Sequence, residues 1–153
     1  MRSFSFRLQT KLKVSNIYED MARDQLRVQQ ATRDTIADQL HSLNQQVSEL
    51  EQSIRLMTSG TDIFTKMVMS REYLPVLKER KTGIIQELDQ AEKKVDRARD
   101  NLMARARETN TLEKLKERDW SNYVYENMRE EQKIIDEAAA AAFYRNRSLT
   151  AVG

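Results

Sequence analysis

The stretch IADQLHSLNQQVSELEQSIRLM, residues 36–57, decides the fold. Its apolar residues recur at alternating steps of four and three, which is the spacing of a helix that packs as a coiled coil. The members of this first seam are Ile36, Leu40, Leu43, Val47, Leu50, Ile54 and Met57. Because one helix cannot bury such a seam alone, the stretch predicts a partner helix.

A second apolar seam with related spacing follows the only proline, Pro75. Its members are Leu77, Ile84, Leu88, Ala91, Val95, Ala98 and Leu102. The chain therefore carries its own partner helix. The sequence predicts an all-α fold, a long antiparallel two-helix coiled coil, or α-hairpin, that binds other proteins.

Local signals place the ends of the two helices. Gly60 suits the residue after a helix end, and proline is tolerated in a first turn, so Pro75 marks the start of the second helix. The methionine-bearing tip either closes the end of the hairpin or offers an adaptable binding surface. We expect helix one at about 5–57, a tip at about 58–74, helix two at about 75–145 and a flexible tail at about 146–153.

Composition excludes several classes of protein. Charged residues make up 33% of the chain, yet the formal net charge is only +2, so there is no one-signed field to capture nucleic acid. No segment approaches the ~20 apolar residues that a membrane span needs. With no cysteine, the chain suits a reducing compartment. We expect a soluble, cytoplasmic protein without nucleic acid and without direct membrane insertion.

The sequence holds no recognisable catalytic or metal-binding group. His41 is the only histidine, and a metal site needs several ligands close together. The three glycines, Gly60, Gly83 and Gly153, are too far apart for a phosphate-binding loop. We therefore expect no enzyme, no cofactor and no metal.

The first half of helix one carries a seam diluted with polar residues. Its members are Leu8, Leu12, Ser15, Glu19, Ala22, Leu26, Gln29 and Arg33. Polar seam residues either fix register and leave room for another partner, or are simply solvated where packing is loose. Both interpretations stay open.

The middle of helix two is locally basic. Its cations are Lys93, Lys94, Arg97, Arg99, Arg105 and Arg107, with Asp96 and Asp100 between them. This run is either an ordinary solvated face or a surface for an acidic partner.

Helix two is expected to outlast helix one. Pairing Met57 with Leu77 brings Leu8 alongside roughly Val124, which leaves ~20 residues of helix two, or ~30 Å, without a partner. The apolar phase also shifts near Trp120, where a local change of winding is expected. The unpaired part carries Met128, Ile134, Ile135, Ala138, Phe143 and Tyr144. An exposed apolar stripe of this kind marks a partner site.

Three segments resemble the FliJ family of flagellar export proteins: FSFRLQ at 4–9, LEKLKER at 112–118 and EQKIIDEA at 131–138. The resemblance covers almost the whole chain. It implies a hairpin similar to the central stalk of rotary ATPases, without chemistry of its own. It also implies binding to a FliI-like export ATPase hexamer, to an FlhA-like export-gate protein and to substrate-specific export chaperones, at the periphery of the membrane-embedded export apparatus.

The resemblance also implies two contact regions. The ATPase-ring contact falls on the unpaired end of helix two, at Trp120, Tyr123, Met128, Arg129, Gln132, Lys133 and Ile135. The export-gate contact falls nearer the tip, at Leu43, Val47, Leu50, Tyr73, Leu77 and Ile84. The gate residues coincide with the apolar seam or flank it, so a purely structural role for them stays open.

Three alternatives remain. One is the equivalent stalk of a virulence type III injectisome, of the YscO type. Another is a structural adaptor that dimerises through its unpaired ends; it would sediment as a stable dimer, whereas a stalk would be monomeric alone. The last is a binder of acidic membranes or nucleic acid through the basic run, whose binding would fall steeply with salt.

Overall fold

Two helices account for nearly all of the structure, a computed structural model that describes residues 3–56 and 63–150, with side chains through Arg145. Helix α1 spans Gln9–Leu56 and helix α2 spans Ile63–Thr150. No strand occurs among the described residues. The prediction of an all-α antiparallel two-helix hairpin is confirmed.

The chain divides into two compact units, each containing part of both helices. Unit 1 consists of Met1–Ile17 with Ala106–Gly153, and unit 2 consists of Tyr18–Arg105. In unit 2, Glu51 meets Lys78 near one end and Tyr18 meets Arg105 near the other, so the two helices run antiparallel. In unit 1, Ser15 meets Thr109.

The core of unit 2 is built from the two predicted seams. Leu43, Val47, Leu77 and Ile84 are buried together. Partly buried neighbours are Ile36, Leu40, Leu50 and Leu74. Further along α2, the seam residues Ala91, Val95 and Ala98 are also buried. Met57 lies outside the described residues.

Helix α2 begins at Ile63, so the prediction that it begins near Pro75 was wrong. Pro75 has no N–H to give the carbonyl four residues earlier, which costs ~3 kcal/mol inside a helix. The helix nevertheless continues through it, because Leu74 packs against the buried cluster and Met67 is half-buried. Tertiary packing here outweighs local propensity. The helix also extends to Thr150, past the predicted end at about 145, whereas Gly60 and residues 151–153 lie outside the described residues.

The core of unit 1 shows that the predicted register was wrong. Leu8 and Leu115 pack on the same buried cluster of Phe6, Leu12 and Leu112, whereas Leu8 was expected alongside Val124. The reason is the early start of α2, which shortens the connection between the helices and pairs α1 with earlier positions of α2.

The polar seam of α1 is packed, not solvated. Ser15 and Thr109 are 4% and 3% exposed, and their hydroxyl oxygens lie 3.0 Å apart in a hydrogen bond. Ala22 is buried, and Glu19 is half-buried with an ion pair to Arg23 at 2.8 Å. A buried hydroxyl pair favours the register that satisfies both groups. The structure thus supports the register-fixing interpretation.

The expected change of phase near Trp120 is absent from the packed part of α2. Buried and half-buried positions continue in steps of four and three through Leu112, Lys116, Asp119 and Tyr123. The helix itself is continuous there. The apolar positions of the new phase from Met128 onward are exposed, whereas Val124 is half-buried.

Candidate protein-binding site

The distal part of α2 presents its described side chains, those of residues 128–145, to solvent. All residues from 128 to 145 are exposed, which at 1.5 Å per residue is a helical length of roughly 27 Å. This confirms that α2 extends beyond the part of it that packs against α1. Met128, Ile134, Ile135, Phe143 and Tyr144 are each more than half exposed.

A single face of this segment repeats the spacing of a coiled-coil seam. We call Val124, Met128, Ile135, Ala138 and Ala142 the distal seam; they lie at steps of four, seven, three and four, and Glu131 occupies the position skipped by the step of seven. Met128 and Ile135 are 62% and 60% exposed. From Met128 onward, this face therefore has the spacing of a buried core and the exposure of a surface.

Of the polar residues predicted for the same contact region, Gln132 borders this seam and the two cations lie further around the helix. Gln132 lies between Met128 and Ile135 on the helix surface, and its amide donates a hydrogen bond to Asp136 at 2.8 Å. Arg129 and Lys133 lie about 100° and about 140° around the helix from Met128. The Arg129 guanidinium lies 6.0 Å from the centre of the Tyr125 ring. The predicted set thus divides into an apolar face, bordered by Gln132, and two cations that lie away from that face.

Three aromatic rings close the packed end next to the distal seam. Phe4 lies edge-on to Trp120 with ring centres 5.1 Å apart, and 5.5 Å from Tyr123; Trp120 and Tyr123 are 5.6 Å apart. We call these residues the aromatic cluster. Trp120 is half exposed and Tyr123 half-buried. Such contacts contribute ~0.5–1.5 kcal/mol per pair beyond area burial.

Phe4 is the member of this cluster that sequence reasoning left out of the contact region. The pattern Phe4-Ser5-Phe6 before the first helix was the available signal. Phe6 is buried on Leu12 and Leu112, and its carbonyl accepts a hydrogen bond from the Gln9 N–H at 3.1 Å. This short turn directs Phe4 onto α2. Beside it, a groove of about 750 Å³ is bordered by Phe4, Leu12 and Trp120 together with polar side chains.

The residues predicted for an export-gate contact fall into two groups. Leu43, Val47, Leu77 and Ile84 are buried in the core of unit 2. Because these four residues are buried, they pack the two helices together and are not part of a surface that a partner could contact. Leu50 is half-buried, and Tyr73 is more than half exposed.

An exposed apolar surface lies beside Tyr73. Leu50, Met69, Tyr73 and Val76, with two polar neighbours, line an open groove of about 490 Å³, which we call the tip-proximal patch. Phe64 and Met69 are 79% and 65% exposed. Ile63 and Met67, in contrast, are half-buried.

Charged side chains mostly pair within one helix, one turn apart. An exception joins the helices near the tip, where Lys78 Nζ lies 3.0 Å from Glu51 Oε1. The hydrogen bond and the charge of Lys78 lower the pKa of Glu51 below its ordinary value. Exposed pairs of this kind contribute little to stability, so packing dominates the hairpin.

Among the residues that the structure describes, no three histidine, cysteine, aspartate or glutamate side chains come close enough together to hold a metal ion. His41 is exposed on α1. Across the same residues, neither helix has a stretch with the length and apolar character required to cross a bilayer.

Comparison with known proteins adds one match. A family model described as "Flagellar FliJ protein" matches residues 4–148. No curated protein and no solved structure matches the chain significantly. The matched range includes the aromatic cluster, both seams and the distal seam.

Proposed function

We propose, since the chain belongs to the FliJ family and is therefore a component of the flagellar protein-export apparatus, that the distal part of α2 binds the export ATPase hexamer. One observation carries the proposal: residues 128–145 are exposed throughout, although they carry the spacing of a buried seam. The match to a flagellar family model supports the flagellar system over the injectisome.

Burial energetics support a protein partner for this segment. Full burial of a methionine or isoleucine side chain contributes ~1.5–3 kcal/mol, and Met128 and Ile135 are both available. Trp120, at the border of the segment, is the kind of residue that anchors interfaces. Arg129 and Lys133, about 100° and about 140° around the helix from Met128, supply positive charge beside this surface and behind it, where charge sets orientation and association rate.

The hairpin acts in this proposal as a stalk without chemistry of its own. Its distal seam enters the ATPase ring and raises ATPase activity by stabilising the assembled hexamer or by coupling it mechanically to the gate. The tip-proximal patch, which retains Leu50 and Tyr73 from the predicted gate set, is the surface offered to the export gate. The chain also delivers chaperone-bound substrates from the cytoplasm.

The decisive experiment mixes the chain with a FliI-type ATPase and measures hydrolysis and hexamer formation. Met128→Asp with Ile135→Asp should reduce stimulation at least about tenfold, because two apolar anchors are replaced by charges. Helical content by circular dichroism should stay nearly unchanged, since both residues are exposed.

A matched control uses the opposite face of the same helix. Ala140→Asp with Tyr144→Asp introduces the same charges at exposed positions that face away from Met128 and Ile135, and it should preserve stimulation. Equal loss in both variants would reject a specific role for the distal seam.

The exposed distal seam also favours one second candidate, a structural adaptor that dimerises through this face. Analytical ultracentrifugation of the chain alone separates the two. A monomer is expected for the stalk, and a stable dimer that is lost with Met128→Asp and Ile135→Asp would support the adaptor.

A further inference from the structure

A polar groove of about 300 Å³ lies between the helices in unit 2, away from the distal seam, the aromatic cluster and the tip-proximal patch, and its two cations belong to the basic run in the middle of α2. We call it the mid-helix groove. It is lined by Gln25 and Gln29 of α1 and by Lys94, Arg97, Ala98 and Asn101 of α2.

The groove exists because the seam residue beneath it is small. Ala98 is 6% exposed and fills its seam position with a single methyl group. Lys94, Arg97 and Asn101 are spaced by three and four residues, so they stand above one another along one edge of α2. Gln25 and Gln29, four residues apart, border the groove from α1 in the same way.

The cations in this part of α2 differ in their pairing. Lys93 Nζ lies 2.5 Å from Asp89 Oδ2, and the Arg99 guanidinium lies 3.2 Å from Asp96 Oδ1. Within the part of the chain that the structure describes, the side chains of Lys94 and Arg97 form no ion pair or hydrogen bond. The groove is therefore lined by two uncompensated positive charges.

We propose that the mid-helix groove binds an acidic segment of a protein partner, with two of its carboxylates received by Lys94 and Arg97. A guanidinium matches a carboxylate with two parallel hydrogen bonds, and a lysine ammonium adds a compact charge. The amide N–H groups of Gln25, Gln29 and Asn101 are further donors for carboxylate oxygens. Side chains three residues apart on a helix are separated by ~5–6 Å at Cβ, which suits carboxylates one turn apart on a partner helix.

The surroundings favour a protein over nucleic acid. Asp96 and Asp100 lie in the same stretch of α2 and would repel a continuous polyanion. None of the six lining residues is aromatic, so the groove offers no ring on which a base could stack. A short acidic helix of a partner can contact Lys94 and Arg97 without reaching Asp96 and Asp100 of α2.

This proposal is independent of the contact assigned to the distal seam, which lies in unit 1. The test uses the full chain and a designed helical peptide with glutamates at i and i+4, titrated by fluorescence anisotropy at low salt. Lys94→Gln with Arg97→Gln should weaken binding about tenfold, which corresponds to the loss of two exposed ion pairs. Binding by the unchanged chain should also weaken as salt is raised.

A matched control comes from the paired cations beside the groove. Lys93→Gln with Arg99→Gln makes the same change in net charge on the same helix and should alter affinity by less than about twofold. Circular dichroism should show equal helical content for both variants, because all four side chains are exposed.

Four outcomes would overturn the proposal. They are equal loss in the two double variants, equal binding of a peptide with the same composition but glutamates on opposite faces, tighter binding of a single-stranded oligonucleotide of equal charge, and no measurable peptide binding. The first outcome would show that the two cations act only through overall charge. The third would show that the partner is a nucleic acid.

Discussion

The first seam in unit 2 and the distal seam in unit 1 have similar sequence spacing but differ in burial. Leu43 and Val47 are buried against Leu77 and Ile84. Met128 and Ile135 repeat the pattern, yet both are about 60% exposed. The difference is only whether a second helix is present. Seam spacing predicts that a face will be buried. The length of the helix lying opposite decides whether this chain or another molecule buries it.

The strongest test of this comparison places the same charge in both seams. Leu43→Asp should lower the free energy of unfolding by about 4 kcal/mol or more, because a buried leucine becomes a carboxylate without a partner. Ile135→Asp should change it by less than about 0.5 kcal/mol, since that side chain is in water. Thermal melts followed by circular dichroism test both, and an unaltered melting curve for Leu43→Asp would reject the assigned core.

The aromatic cluster tests where the packed part of α2 ends and its exposed part begins. Phe4→Ala should cost about 2 kcal/mol, because two ring contacts and part of the apolar packing at the helix start are lost. Trp120 should become more exposed, which a red shift of its fluorescence emission would reveal. Phe64→Ala, at a 79% exposed position, is the control and should leave both stability and emission unchanged.

The smallest expected effect concerns the polar contact that replaces apolar residues in the seam. Ser15→Ala should cost about 1 kcal/mol, the net contribution of one hydrogen bond. Ser121→Ala, which removes only a local bond to the Glu117 carbonyl on an exposed face, should cost less. A double-mutant cycle with Thr109→Val measures the coupling, and additive effects would mean that the two hydroxyls do not fix register.

Much of the candidate site could be predicted from residue spacing. Periodicity identified the seam from Leu77 to Leu102 and the exposed apolar side chains at Met128 and Ile135, because both depend on helical geometry alone. It could not separate Leu43 from Tyr73 as contact residues, since burial depends on which helix lies opposite. The sequence marked the basic run but could not separate Lys94 and Arg97 from its other members, because local ion pairs neutralise Lys93 and Arg99 but not these two cations.

The amino-acid sequence by itself determined that this chain forms two long helices with complementary seams and an unpaired apolar end. Only the tertiary structure decided the register. A seam that repeats every seven residues can pair in several positions with similar apolar burial, so the choice falls to features outside the repeat. Here those features are the continuation of α2 through Pro75 and the hydrogen bond between Ser15 and Thr109.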